Sequence, residues 1–194
     1  MKFSLQFIIL FALLFSCNPE AKKVTEGLLK EVEKIEKDGV TTHTEIEKLQ
    51  EELIKKTPLT EEELLRAFPK ELTGLALDKV SAIPGMGQVV GQFGNRKISL
   101  SIADAAGEKN ALATVFIGNY SFVNPSTENR KFSNIERDGI KTVSDYNAYD
   151  KETEMWLLYD NRYYISLSGT DMNPEELWQA FDINALKGYK EMNK

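Results

Sequence analysis

Residues 88–101 read QVVGQFGNRKISLS and predict an antiparallel hairpin. The dipeptide Gly94-Asn95 is typical of a two-residue turn between two strands. Pairing across this turn places Val89 opposite Leu100 on an apolar face and puts glutamine, lysine and serine side chains on the other face. One apolar and one polar face indicate an antiparallel sheet that packs on a core with one side only.

Two further turn signals, Asp138-Gly139 and Asp160-Asn161, predict two more hairpins. The last hairpin differs because both of its faces are apolar when it is paired across a two-residue turn. One face, which we assign to the core, then carries Trp156, Leu158, Tyr163, Ile165 and Leu167. The other face is the candidate partner or ligand surface and consists of Met155, Leu157, Tyr159, Arg162 and Tyr164. We expect helices, a ligand or a partner to cover it, because large apolar faces are rarely left in water.

Tyrosines are concentrated in the same part of the chain, at positions 146, 149, 159, 163 and 164. They are typical of core and half-buried strand positions, where the ring packs and the hydroxyl finds a partner. The alternative is an aromatic-lined site for a lipid, a peptide or a glycan.

Helix signals separate the hairpins. Thr60 and Glu63 form a capping box, Asn173-Pro174 is followed by two glutamates, and residues 110–116 are rich in alanine and leucine. This order predicts an α+β fold, with an antiparallel sheet of about three hairpins, helices packed on one face and a helical hairpin in front. It is unlike the strand-helix alternation of nucleotide-binding folds.

The predicted N-terminal helical hairpin covers residues 24–57. Apolar residues recur at helical spacing from Val24 to Ile35 and again after Thr44, with His43 in the turn between. Two short amphipathic helices cannot bury their apolar stripes alone, so they pack on each other, on the following domain or on another chain. The segment is therefore either a spacer or a partner-binding surface.

The composition excludes several classes of function. The 194 residues include one cysteine and one histidine, which excludes an intramolecular disulfide and a zinc site built from several such residues. A net charge of −6 leaves no basic footprint for nucleic acid. Phosphate-binding glycine loops and nucleophile-elbow motifs are missing from the sequence. We therefore expect a protein that is not an enzyme, with no catalytic residue, no metal and no separate cofactor.

The first residues read MKFSLQFIILFALLFSCNPE. Lys2 precedes an apolar run from Phe7 to Phe15, which suits a secretory signal and is shorter than the roughly 20 residues that span a bilayer. The run ends at the sole cysteine, Cys17. The alternative to a special role for Cys17 is an ordinary signal or a short signal-anchor.

The residues Leu14-Phe15-Ser16-Cys17 resemble the lipobox of bacterial lipoproteins. The resemblance implies signal cleavage between Ser16 and Cys17, a diacylglyceryl group on the Cys17 thiol, and an acyl chain such as palmitate on the freed amine. Asn18 stands where enteric lipoproteins retained in the inner membrane carry aspartate, so the outer membrane is implied for a cell with two membranes.

The body, residues 59–187, is similar to a family of bacterial lipoprotein and secreted domains of uncharacterised function. The residues that carry this resemblance are Phe68-Pro69, Lys97–Ile102 leading to Asp104, Asp160-Asn161-Arg162-Tyr163 and Asp182-Ile183. The family implies no catalytic residues.

These predictions divide the chain into a signal peptide (1–16), a lipidated tether (17–23), a charged amphipathic helical hairpin (24–57) and an α+β domain (58–194). We expect a lipid-anchored cell-envelope protein with a non-enzymatic binding or envelope-structural role and an envelope protein as its partner. The alternative is a carboxylate-based hydrolase acting on envelope glycan or peptide, because 30 acidic residues offer many pairs for acid-base chemistry.

Overall fold

The computed structural model describes residues 43–122 and 124–193. The predicted signal peptide, Cys17 with its tether and the helix predicted from Val24 to Ile35 lie outside the described residues. The described residues lie almost wholly in one compact unit, Glu45–Lys194.

This unit begins before the predicted domain boundary at residue 58. The helical residues 45–53 belong to this unit, and Leu49 and Leu53 are buried in its core. Thr44, which we predicted to precede this helix, lies within it, and so does His43, which we placed in a turn.

The described residues form five helices and eight strands. The helices are α1 (43–53), α2 (Glu61–Ala67), α3 (Ala111–Ser121), α4 (Pro174–Phe181) and α5 (Lys187–Met192). The strands are β1 (Glu71–Leu72), β2 (Leu75–Ile83), β3 (Gln88–Phe93), β4 (Ile98–Asp104), β5 (Arg130–Arg137), β6 (Ile140–Asn147), β7 (Glu152–Tyr159) and β8 (Tyr163–Thr170). The predicted capping box of Thr60 and Glu63 is present and begins α2. The predicted helix start at Asn173-Pro174 is also present and begins α4, where Asn173 and Glu176 form a capping box.

The strands form one antiparallel sheet in the order β1-β2-β3-β4-β8-β7-β6-β5. Strands β1–β4 pair in chain order, and so do β5–β8. The two groups join where β4 pairs with β8, and α3 lies on the connection from β4 to the distant edge strand β5. This arrangement confirms the predicted α+β class and the antiparallel sheet.

One face of the sheet, which we call the core face, packs on the main hydrophobic core. Its fully buried side chains include Val89, Phe93, Ile98, Leu100, Ile102, Met155, Leu157, Ile165 and Leu167. α4 covers this face so closely that a Cβ on Gly169 would lie 2.8 Å from Leu177 Cδ1. Phe68, which follows α2, leaves equally little room, since a Cβ on Gly91 would lie 2.4 Å from its ring.

α3 lies against the opposite face, which we call the open face. Asn134, on that face of β5, donates from Nδ2 to the carbonyls of Asn119 at 2.9 Å and Tyr120 at 2.7 Å. Lys141 Nζ, on the same face of β6, lies 5.4 Å from the centroid of the Tyr120 ring. The helices are therefore found on both faces, whereas we predicted them on one.

The first hairpin keeps its predicted faces, and the second forms at its predicted turn. At Asp138-Gly139 the turn has two residues, since Arg137 pairs with Ile140. At Gly94 the turn has four residues, and Gly91 pairs with Leu100 in place of the predicted Val89. A register shift of two residues leaves every side chain on its predicted face, because strand side chains alternate with a period of two.

The third hairpin does not keep its faces. Tyr159 pairs with Tyr163, so the turn contains Arg162 as well as Asp160-Asn161. The register is shifted by one residue, which exchanges the faces of part of the hairpin. Trp156 and Leu158, which we assigned to the core, lie on the open face and are half-buried.

Candidate functional site

The five residues of the predicted partner surface do not form a surface. Met155 and Leu157 lie on the core face, each with 0% relative exposure. Tyr159 shares that face and is half-buried, whereas Tyr164 lies on the open face. Arg162 is 2% exposed and contacts Asp104. The predicted face assignment is wrong because Arg162 leaves the strand for this contact, which shifts the register by one residue.

Arg162 and Asp104 form a buried ion pair where β4 and β8 meet the linker between α1 and α2. Arg162 Nε donates to Oδ1 of Asp104 at 2.7 Å, and its Nη2 donates to Oδ2 at 2.8 Å. The same Nη2 donates to the Thr57 carbonyl at 2.9 Å, and the Leu59 amide donates to Asp104 Oδ2 at 2.7 Å. Burial lowers the pKa of Arg162, but its hydrogen bonds to Asp104 and the charge of that residue raise the pKa overall. The pair therefore fastens the linker to the end of the sheet.

Two buried tyrosines pack beside this ion pair. The ring centroids of Tyr163 and Tyr189 are 5.1 Å apart, and the Tyr189 hydroxyl donates to the Leu64 carbonyl at 2.7 Å. The Tyr163 hydroxyl is buried and has no hydrogen-bond partner among the described residues. Burial raises the pKa of Tyr163 to about 12 and also raises the pKa of Tyr189. These two rings belong to the core.

The β7–β8 hairpin presents Trp156, Leu158 and Tyr164 on the open face. All three are half-buried, and Trp156 lies between Val143 on β6 and Ser166 on β8. On the neighbouring strands β4 and β3, the open face carries small or partly exposed side chains. We call this strip, which consists of Val143, Trp156, Leu158 and Tyr164, the open-face strip.

Charged residues border the open-face strip. Arg130 forms an ion pair with both carboxylate oxygens of Asp145, which faces Glu154 on the neighbouring strand. The hydrogen bonds that Arg130 donates to Asp145, together with the charge of that carboxylate, raise the pKa of Arg130. Burial raises the pKa of Tyr164, and Glu154 adds to that effect. Asp145 therefore lies between Arg130, with which it forms the ion pair, and Glu154 on the neighbouring strand.

A groove of about 300 Å³ lies where α1 and α3 meet the turns of the sheet. Its lining includes the apolar residues Phe116, Ile117 and Leu158. At its rim, Lys141 Nζ lies 3.2 Å from a carboxylate oxygen of Glu45. This rim pair is internally neutral, and the acidic residues Glu136 and Asp160 also line the groove.

A second cleft, of about 380 Å³, lies beside α4, and we call it the Trp178 cleft. Its lining residues are Thr73, Asp138, Trp178, Gln179, Asp182, Ile183 and Asn184. Three distant parts of the chain therefore meet there: the β1–β2 turn, the β5–β6 turn and the end of α4.

Hydrogen bonds and packing hold the side chains of the Trp178 cleft in place. Trp178 Nε1 donates to Asp138 Oδ2 at 2.9 Å, and the indole packs on the buried Phe181 with centroids 5.9 Å apart. Asp182 Oδ1 accepts hydrogen bonds from the backbone N and the Nδ2 of Asn184, both at 3.1 Å. The cleft thus combines an indole, two carboxylates and two amides.

The sequence predicted the Asp138-Gly139 turn, of which Asp138 lines the Trp178 cleft, but it did not predict the cleft. Asp182 caps the 3-10 turn Ile183–Leu186, since its side chain accepts a hydrogen bond from the Asn184 backbone N. No local spacing connects residues 73, 138 and 178, because only the tertiary fold brings them together.

The described ranges 43–122 and 124–193 contain no group of three or more His, Cys, Asp or Glu residues that could hold a metal ion. In the same part of the chain, no helix is both long enough and apolar enough to cross a membrane.

Comparison of the chain with protein-family models, with curated proteins and with solved structures found no match in any of the three. The assignment of function therefore depends on the residues and the geometry described above.

Proposed function

We propose that this protein is a bacterial lipoprotein, held to the cell envelope by lipid on Cys17, whose body has a non-enzymatic binding or structural role. The observation that carries the proposal is the position of the sole cysteine, at the end of an apolar run and within Leu14-Phe15-Ser16-Cys17. A site of diacylglyceryl transfer requires a cysteine at that position. The outer membrane is the proposed location in a cell with two membranes.

The charge of the chain supports a lipid anchor over electrostatic attachment. With a net charge of −6, the protein is not drawn to anionic headgroups. A single acyl chain gives only marginal binding at ~0.8 kcal/mol per buried methylene, so the diacylglyceryl group and an N-acyl chain together provide a stable anchor.

Fractionation of cells that express the full chain tests the anchor. Wild-type protein is expected in the membrane pellet, and Cys17→Ala protein that is still exported and cleaved is expected in the soluble fraction. Ser16→Ala is the matched control, because it keeps a small residue beside the cysteine and should leave the protein in the pellet. Recovery of exported and cleaved Cys17→Ala protein in the pellet, to the same extent as wild type, would contradict the proposal.

We infer that the partner is an envelope protein and that it contacts the open-face strip. Trp156 and Tyr164 support this inference, since aromatic residues that are partly exposed beside aliphatic ones are enriched at protein interfaces. The polar serines and the Arg130–Asp145 pair around them match the polar rim of such interfaces.

Site-specific photo-crosslinking in intact cells tests this surface. A photoreactive phenylalanine at position 156 should give a discrete crosslinked protein. The control position is 149, since Tyr149 is 84% exposed in the β6–β7 turn and lies away from the strip. Crosslinks of equal yield and pattern from both positions would show that the strip is not a specific interface.

A further inference from the structure

We infer that the Trp178 cleft binds a neutral saccharide unit of an envelope glycan. The inference rests on the proposed binding role, but not on the lipid anchor or on the open-face strip. It deepens the proposal by naming a ligand class and a second, separate site. Three features of the cleft lead to it: its aromatic group, its hydrogen-bonding groups and its charge.

The indole of Trp178 supplies the aromatic group. A pyranose ring has an apolar face of C–H groups, and an indole is a large flat apolar surface on which such a face can pack. Trp178 is half-buried, packs on Phe181 and is fixed by its hydrogen bond to Asp138. Little side-chain entropy is therefore lost when a ligand packs against it.

The hydrogen-bonding groups of the cleft suit a ligand rich in hydroxyls. Asp138 and Asp182 offer carboxylate oxygens that accept, while Gln179 and Asn184 offer amides that both donate and accept. All four residues are exposed, so their remaining hydrogen-bonding capacity faces solvent. A sugar hydroxyl is a donor and an acceptor at once, so it can match either kind of group.

The charge of the cleft selects among saccharides. Its seven lining residues include two carboxylates and no lysine, arginine or histidine. Arg137, next in sequence to Asp138, is only 5% exposed and donates to the Glu175 carboxylate at 2.6 Å. The cleft therefore disfavours uronic acids, phosphorylated sugars and other anionic glycans.

The two tryptophans of the chain allow a direct test. In the full chain carrying Trp156→Phe, all tryptophan fluorescence comes from Trp178. We would titrate this protein with chitotetraose, cellotetraose and maltotetraose, and with tetragalacturonate as the anionic probe. At least one neutral oligosaccharide should change the emission with a saturable curve in the millimolar range or tighter, and the anionic probe should not.

Two variants complete the test by calorimetric titration with the same oligosaccharide. Gln179→Ala, at an exposed position, should weaken binding several-fold, and Trp178→Ala should weaken it at least tenfold. Gln50→Ala is the matched control, since Gln50 bonds to Thr114 on α3 away from the cleft, and it should bind like the parent protein. Circular dichroism establishes that each variant is folded.

Four results would overturn the inference. The first two are that no neutral oligosaccharide binds, or that the anionic probe binds more tightly than the neutral ones. The other two are that binding persists when Trp178 is replaced, or that Gln179→Ala and Gln50→Ala weaken binding equally. Cys17→Ala protein should bind the oligosaccharide as well as wild type does, so failure of the anchor and failure of this site are distinguishable. Release of new reducing ends during incubation would support the site but contradict the proposed non-enzymatic role.

Discussion

The two faces of the β7–β8 hairpin differ sharply although both are apolar in sequence. Met155, Leu157 and Tyr163 on the core face are completely buried, whereas Trp156 and Leu158 on the open face are half-buried. Neighbouring leucines at 157 and 158 therefore have different environments. Hydrophobicity alone cannot predict which of two apolar faces is buried. Here the register, set by one extra residue in the turn, decides which face becomes the core.

The residue that sets the register should be the most sensitive to substitution. Arg162→Met leaves the Asp104 carboxylate buried without its partner, which we expect to cost ~3–5 kcal/mol of unfolding free energy. Urea denaturation followed by circular dichroism measures this loss. Lys141→Met removes an exposed pair with Glu45 and should cost less than ~1 kcal/mol. Similar losses for the two variants would show that the Arg162–Asp104 pair does not fix the turn.

The adjacent leucines separate the two faces most simply. Leu157→Ala should destabilise the protein by ~2–5 kcal/mol, because it opens a cavity in the core. Leu158→Ala removes the same atoms from a half-buried site and should cost clearly less. The same denaturation experiment compares the two variants. The reverse order would mean that the hairpin has the register predicted from its sequence.

High pH should also act through the core face. Burial raises the folded-state pKa of Tyr163 to about 12 from the ordinary value of 10.0, so the folded state holds a proton that the unfolded chain loses first. The contribution of this pKa shift to the free energy of unfolding is fully present below pH 10. It is lost as the pH rises from about 10 to 12, by up to ~1.4 kcal/mol per pH unit. Unfolding midpoints at pH 9 and pH 11 measure the loss, which should be smaller in Tyr163→Phe. An equal loss in that variant would assign the effect to other groups.

The smallest expected effect concerns the two adjacent tyrosines at neutral pH. The Tyr163 hydroxyl is buried without a partner among the described residues, so Tyr163→Phe should leave stability unchanged or raise it by ~1 kcal/mol. Tyr164→Phe is the comparison on the open face and should change stability by less than ~0.5 kcal/mol. Thermal denaturation monitors both. A loss above ~1 kcal/mol for Tyr163→Phe would indicate a hydrogen bond to that hydroxyl.

Local patterns in the sequence were sufficient for the class of the fold and for the starts of α2 and α4. The helix starts at Thr60 and Asn173 and the turn at Asp138-Gly139 depend on residues close in the chain, and all three are present. The turn at Asp160-Asn161 was predicted one residue too short, because its length depends on Asp104, a partner 58 positions from Arg162. No rule that reads neighbouring residues contains that contact.

The candidate sites depended even more on long-range structure. The predicted surface on the β7–β8 hairpin inherited the register error, so its residues were distributed over the core, an ion pair and the open face. The Trp178 cleft could not be predicted because residues 73, 138 and 178 are adjacent only in the folded chain. The proposed lipidation of Cys17 is different, since a lipid-attachment signal is a short linear segment that needs no tertiary context.

Mass spectrometry of the N-terminal peptide from membrane-extracted protein tests directly whether Cys17 carries lipid. We predict a peptide that starts at Cys17, lacks residues 1–16 and carries the mass of a diacylglyceryl group and an amide-linked acyl chain. A peptide that starts at Cys17 or earlier and carries a free thiol would contradict the anchor and the envelope role built on it.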